Sequence, residues 1–542
     1  METIVRVMLA ASPTWDVVVY GSSPAGIAAA TAAGMLGMKT ALYEPLPMIG
    51  GMGAAGFLGL HDGGFGAITG LAYNYTLLNG EYYNSSSAAQ QVESFASAWS
   101  MNKMLSRAGV THIQLDCRLT AAASAGVPSK VTSITVLCEK EPVTATVFID
   151  ASYDGEIMVA LDDVSYTWGR ESIAHYNESY AGARVPGWHG VGGPRTISAL
   201  KDDGSLIKYV SNLTDLAPAG EADDALMAFQ HRLCVAGLGN MVPWPKPLNY
   251  DPEDFLLMQR CVDANFSGVM TSMPPSEIHD GGVTGKKKYC SCCGISVCAS
   301  DQPTLNKGWA NASWERKQEI IADHTYFEIG SYYYLANDPQ VHPEVRARFS
   351  SYGLCADEYE EYGHIPPQLY VRISNRLVGD YVMTQNNIAA PQRKPDSIAV
   401  GDWSFDEHMT GKYAVNGHVV LEGNFWPTVT KHNNWYDVPY KIMVPKRGTG
   451  ANLLVPVALS ASAMAYTSTR IESMFMATGS AAAVAAEQLV NGDAANVQDV
   501  NVTKVQVTLT SVFNQQVHGP PAGPGPLYAP TLAAGPAEYG RD

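Results

Sequence analysis

The sequence predicts an α/β fold, a parallel sheet with flanking helices that carries a large, mainly helical inserted domain. Three observations lead there. Residues 15–44 read as strand, glycine turn, helix, strand and terminal acid, the order of a Rossmann-like dinucleotide-binding unit. Between 166 and 435 tryptophan, tyrosine and proline become frequent, and no second strand–glycine loop–helix unit appears. The length of 542 residues exceeds what one compact core organises, so two interleaved domains are the expected minimum.

The first unit can be justified residue by residue. Val17, Val18 and Val19 make an uninterrupted apolar run suited to a buried strand. Gly21 allows the tight turn that follows, and Gly26 allows the next helix to pack close to the strand. In the stretch G-S-S-P-A-G, Ser23 stands at the middle glycine of the usual fingerprint and is followed by Pro24 and Ala25. The helix is rich in alanine, and residues 40–43 return as a second strand that ends on Glu44. A helix start offers unpaired amides and a positive dipole end to a pyrophosphate, and the acid takes the ribose hydroxyls. Gly21, Ser23, Pro24, Ala25, Gly26 and Glu44 are therefore candidate cofactor-binding residues, with Gly50, Gly51 and Met52 just beyond them.

Further along, residues 84–108 carry Phe95, Trp99, Met104 and Leu105 at helical spacing, and 131–137 and 143–149 read as strands. Asp150, Ala151 and Ser152 form a small-residue turn at a strand end, where ligands approach open α/β sheets. In the inserted region helices are expected around 222–238, 251–263, 314–334 and 368–384. Arg372 and Arg376 stand four apart on the last of these, so they share a face and suit either a carboxylate clamp or a surface or interdomain salt-bridge pair. Residues 438–444 and 453–457 read as strands, 474–489 as an alanine-rich helix opened by a turn at 476–483, and 497–516 as a strand pair. The segment 517–542 is rich in proline, glycine and alanine, a composition of disorder.

Several stretches together resemble a known family: residues 15–62, VFIDASYDGEIM at 147–158, FQHRLC at 229–234, PWPKPLNYDP at 243–252, LANDP at 335–339, PQLYVR at 367–372, NLLVPVALSAS at 452–462 and RIESMFMATGSAAAVAA at 470–486. They are similar to the FAD-dependent oxidoreductases of the glutathione-reductase-like flavoprotein class, within the family whose FAD domain is interrupted by a long substrate domain. The resemblance implies FAD as cofactor and an FAD domain assembled from 11–165 and 436–492. It implies a substrate or cap domain over 166–435 and an extension over 493–516. It places the strand 111–115 beside the adenine and the amides of Gly479, Ser480 and Ala481, at a helix start, toward the flavin pyrimidine end, where reduction puts negative charge. His408 matches a family histidine position, and His61 follows the glycine-rich cofactor loop. Either serves as a base when a hydroxyl loses its proton during hydride transfer to the flavin. The implied activity is oxidation of a small polar organic substrate, with the electron acceptor left open. Ala463, Thr467, Ser473 and Pro367 depart from the family pattern. Two alternatives stay open: a nicotinamide-dependent dehydrogenase using the same fingerprint, and an FAD-binding protein without turnover.

Composition narrows the partners. A net charge of -17 argues against nucleic acid, which needs a basic surface, and leaves a small-molecule substrate as the expected partner. No run of 18 or more apolar residues occurs, so no membrane span is expected. Residues 1–12 are too short for a full signal peptide. Seven N-x-S/T sequons, at Asn74, Asn84, Asn177, Asn212, Asn265, Asn311 and Asn501, suit a secreted chain whose leader is missing or trimmed; without secretion the cytoplasm is the default. The nine cysteines are an odd count and make no even disulfide framework. Cys290, Cys292, Cys293 and Cys298 crowd together at a spacing wrong for zinc, so one disulfide or free thiols are expected there and no metal.

Overall fold

The computed structural model describes residues 14–60, 67–187, 196–265, 270, 288–291, 296–425 and 435–519. His61, Cys292, Cys293, residues 1–12 and the tail beyond Gly519 lie outside the described residues. In chain order the elements that build and frame the site are β1 (Trp15–Tyr20), α1 (Pro24–Met35), β2 (Thr40–Tyr43), α2 (Ser94–Arg107), β3 (His112–Gln114), β4 (Ala145–Asp150), α3 (Trp314–Asn337), β5 (Glu407–Val415), β6 (His418–Phe425), β7 (Leu453–Leu454), α4 (Glu472–Val490) and α5 (Val502–Ser511).

Five of these strands form one sheet in the order β7-β4-β1-β2-β3, and every neighbouring pair is parallel. Val17, Val18 and Val19 are fully buried, as parallel strands covered on both faces require. The alanine-rich α1 packs against the alanine-rich α4. Their axes come close because little side chain stands between them; a Cβ added at Gly479 would lie 2.1 Å from the Ala25 carbonyl oxygen. The chain crosses from β1 to α1 through Gly21, whose φ is +87° and whose added Cβ would lie 2.6 Å from the Ser152 nitrogen. At Gly26 the added Cβ would lie 1.9 Å from the Gly21 oxygen. Gly26→Val is thus expected to force helix and turn apart, at about 1–3 kcal/mol or more. A purified variant with unchanged melting temperature and full flavin content would refute that account of the close approach.

Outside this sheet the architecture is mixed rather than mainly helical. A four-stranded antiparallel sheet sets Leu233–Gly237 between Tyr352–Cys355 and Lys288–Ser291, and β5 and β6 form a long hairpin. The helix expected over 222–238 is therefore corrected to extended chain ending in a central strand. Leu233, Cys234, Val235 and Ala236 are all buried, and an apolar run without periodicity fits a buried strand as well as a helix. The expectation over 251–263 reduces to a 3₁₀ turn and the helix Leu256–Asp263; that over 314–334 is α3, 24 residues long.

The helix expected over 368–384 is also corrected. Nine consecutive residues from Leu369 to Leu377 are buried, which leaves no solvent face for an amphipathic helix. Their backbone pairs with other segments instead, Tyr370 with Gln230 and Arg376 with Thr167. The strand pair expected over 497–516 is α5, capped by Asn501, with Val505 and Leu509 inward and Val507 and Val512 exposed. Of the two strands expected near 438–457, only Tyr436–Pro439 and Leu453–Leu454 are extended. Six cysteines pair, Cys117 with Cys138, Cys234 with Cys355 and Cys261 with Cys298.

Candidate functional site

The C-terminal ends of the parallel strands open onto a cleft, where a doubly wound sheet is expected to bind its ligand. Ser23, Glu44, Gly51, Ala151 and Ser152 line it together, facing Trp309, Trp314 and Lys317. Its empty space, open mouth included, is about 600 Å³. Five residues singled out from distant parts of the sequence thus share one wall. α1 begins at this wall: Ser23 is its N-cap and accepts from the Gly26 amide at 3.4 Å. Pro24, which has no N–H, occupies the first turn, where none is needed.

Glu44 is nearly fully buried at the end of β2. Its Oε2 accepts from the Ser22 amide at 2.6 Å and the Ser22 hydroxyl at 2.7 Å; Oε1 accepts from the Leu46 amide at 2.8 Å. Burial pushes this carboxyl upward against those three donors. Gly50 donates to Ser22 at 3.0 Å, fixing the glycine loop to the first turn. The Met52 amide donates to the Tyr153 hydroxyl at 2.8 Å, which itself donates to Glu472 at 3.0 Å. Asp150 turns inward: it accepts from the Ser152 hydroxyl at 2.7 Å and the Met158 amide at 3.0 Å. Burial raises it to about 6 against those bonds. Asp150 therefore shapes the turn, while Ala151 and Ser152 reach the cleft. On the opposite wall Lys317 of α3 contacts Asp154 at 2.7 Å. Burial acts to raise that carboxyl, but Lys317 holds it below the ordinary range.

Behind the glycine loop lies a buried ionic chain. Tyr370 packs with Met52, Leu58 and Tyr153 and accepts from Arg470 at 2.7 Å. Arg470 also pairs with Asp406 at 2.8 Å. Asp406 lies 3.5 Å from Nε2 of His408, whose Nδ1 is 2.6 Å from Asp301. Asp301 closes the chain with Arg372 at 3.0 Å. Burial acts to raise the Asp301 carboxyl, yet Arg372 and His408 hold it below the ordinary range.

The two arginines do not form a clamp. Arg372 serves Asp301, whereas Arg376 binds the carbonyls of Gly169 and Ala461 at 3.0 Å each and Glu171 at 2.6 Å. Arg376 thereby ties three chain segments together. Gly479, Ser480 and Ala481 also change position: α4 starts at Glu472, so they lie in mid-helix, not at its start. Ile471 caps that start without a side-chain hydrogen bond, so no local capping signal marked it. Asp301, Arg470, Tyr370 and Lys317 carry no local signal of their pairing because their partners lie far along the chain, whereas Asp406 stands two positions from His408. Arg470 and Glu472 did carry a signal, since they open the stretch RIESMF.

The sequence matches the family described as FAD dependent oxidoreductase over residues 16–509. The chain belongs to that family. FAD is its cofactor, and the cleft fits the group on one count, the acceptor capacity of Glu44. Each carboxylate oxygen has two acceptor sites; both on Glu44 Oε2 are filled, and one on Oε1 is left at the cleft wall for a ribose hydroxyl. Similarity of this FAD-dependent oxidoreductase to solved structures is local. OTEMO in complex with FAD and NADP is 21% identical over 30% of this chain and 30% of its own, with a TM-score of 0.20. THI4 of Thermovibrio ammonificans is 15% identical over 29% of this chain and 66% of its own, TM-score 0.23. Thioredoxin reductase of Streptococcus pyogenes is 18% identical over 25% and 34%, TM-score 0.18. The match spans less than two thirds of each of those chains. No protein of curated function matches significantly.

Proposed function

We propose that this oxidoreductase removes a hydride from a small polar organic substrate, an alcohol or hydroxy acid, with His408 taking the hydroxyl proton. The observation that carries this reading is the buried Asp301–His408 pair, joined through Asp406, Arg470 and Tyr370 to the glycine loop. Asp301 holds Nδ1 and so fixes the ring, and a proton taken at Nε2 would be shared with the Asp406 carboxylate 3.5 Å away. Arg372 compensates the charge of Asp301, so the carboxylate orients the ring at little electrostatic cost. FAD, when bound, supplies the two-electron acceptor. Of the cleft residues, Glu44 would hold the ribose and Lys317 would offset pyrophosphate charge. Ser23 and the first turn of α1 would contribute the helix-start dipole.

The test is anaerobic titration of the purified yellow protein with alcohols, hydroxy acids, sugars and amines, followed by rapid mixing of His408→Asn. Bleaching of the flavin by a hydroxyl-bearing substrate, slowed about 10²–10⁴-fold in His408→Asn with flavin retained, is the expected result. Equal reduction rates would remove His408 from the reaction. Glu44→Ala is expected to weaken FAD binding by about 1–3 kcal/mol through loss of a charged hydrogen bond. Fluorescence titration of the apoprotein with FAD measures it; riboflavin, which lacks the adenosine ribose, should bind both forms alike.

A further inference from the structure

The seven sequons are not used by the cofactor site, and the fold separates them into groups. All seven asparagines are exposed. Five have a conformational reason to be asparagine. Asn84, Asn177 and Asn265 take φ of +58°, +55° and +51°, the left-handed region that asparagine tolerates better than other side chains. Asn212 and Asn501 cap a 3₁₀ turn and α5 through their side-chain oxygens. Asn74 and Asn311 have no such reason. Asn74 stands inside the helix Gly70–Tyr82, where asparagine is a poor choice, and Asn311 ends a short 3₁₀ turn. Neither side chain makes a hydrogen bond among the described residues.

A second observation points the same way. Three disulfides join six of the seven described cysteines, and Cys234, Cys355, Cys261 and Cys298 are completely buried. Disulfides of this kind belong to oxidising compartments and are rare in the cytosol. Asparagine-linked glycan is added along the same route, to surface N-x-S/T sites.

We propose that the protein is made in the secretory route and carries asparagine-linked glycan at Asn74 and Asn311. In the transfer, the Asn Nδ2 forms a bond to C1 of the first sugar of a lipid-pyrophosphate-linked oligosaccharide. The C1–oxygen bond to the lipid pyrophosphate breaks, the pyrophosphate departs with the electron pair, and the amide releases one proton; nothing is oxidised or reduced. Asn311 lies between Trp309 and Trp314, both of which line the cofactor cleft. Its glycan therefore stands at the rim of that cleft, and slower exchange of FAD is the expected consequence.

The experiment uses the protein isolated from the organism that makes it. Treatment with an amide-cleaving glycosidase in heavy-oxygen water converts each occupied asparagine to labelled aspartate, which peptide mass spectrometry locates. Label at positions 74 and 311 is expected, and Asn74→Gln and Asn311→Gln should each remove one glycan step from the intact mass. Thiol labelling without reductant should leave the six paired cysteines unmodified. An unshifted mass, label only at the five conformational sites, or all nine thiols reactive would each overturn the proposal. Release of FAD on dilution should quicken in Asn311→Gln and not in Asn74→Gln; equal release would remove the rim effect.

Discussion

Lys412→Met is expected to stabilise the protein by about 3–5 kcal/mol near pH 6, and by progressively less toward pH 10. Lys412 lies on β5 with no exposure. Its ammonium has no hydrogen-bond partner among the described residues and sits 5.6 Å from the ring centre of Phe327. Burial lowers it from 10.5 to about 7, outweighing the opposing pull of Asp301, and each pH unit of such a displacement is worth about 1.4 kcal/mol. The folded value lies below the unfolded one, so the unfolded chain binds more protons between about 7 and 10.5 and stability rises with pH across that window. Below it the ammonium is charged in both states and its burial costs the folded state in full. Methionine keeps the volume and removes the charge. Denaturant unfolding at pH 6 and pH 9.5 measures the difference; a loss of stability, or an equal gain at both pH values, contradicts the assignment.

Asp301→Leu has the opposite sign and a similar size. It leaves Arg372 and His408 without the carboxylate they share, and breaking a buried pair by removing one partner costs about 3–5 kcal/mol. Because Asp301 is held below the ordinary carboxylate value, its contribution is fully present above the unfolded value near 4. It is lost as pH falls through the folded value. The variant should accordingly show a flatter acid limb below about pH 4 than the parent. Asp301→Asn, which keeps the shape, separates charge from packing. If it unfolds like the parent at pH 6, the ionic account is wrong.

The first βαβ unit was legible because its signals are local. An apolar strand, a glycine that must turn left-handed at +87°, and an acid at the end of β2 all act within about 30 residues, as the fingerprint requires. The regions misread share one property: they are buried all round. At 233–236 and 369–377 no polar face survives to give a period, so pattern alone does not tell strand from helix. Threonine and glycine in mid-helix imitate a turn and hide the start of α4 at Glu472, whereas Gly479 is there to admit the Ala25 backbone. Two of the six members of the ionic chain are legible as residue types, His408 and Arg372. The rest is not, because Asp301 meets His408 across 107 positions and Arg470 meets Tyr370 across 100. The disulfide partners, 21, 37 and 121 positions apart, likewise follow from the fold and not from spacing.

The edge strand β7 has a consequence for how the molecule is made. Leu453 pairs with Phe148, 305 positions upstream, and Asn452 bonds the backbone of Val131 and Thr146. At about 5–20 residues per second, a ribosome needs roughly 15–60 seconds to deliver the strand that covers the edge of β4. The helix that covers the alanine face of α1 follows still later. Throughout that interval the nascent N-terminal segment presents an unpaired strand edge and uncovered apolar surface, the two features that drive association of unfinished chains. Early termination before Leu453 is thus expected to leave a fragment that associates with itself and does not fold as a smaller cofactor domain.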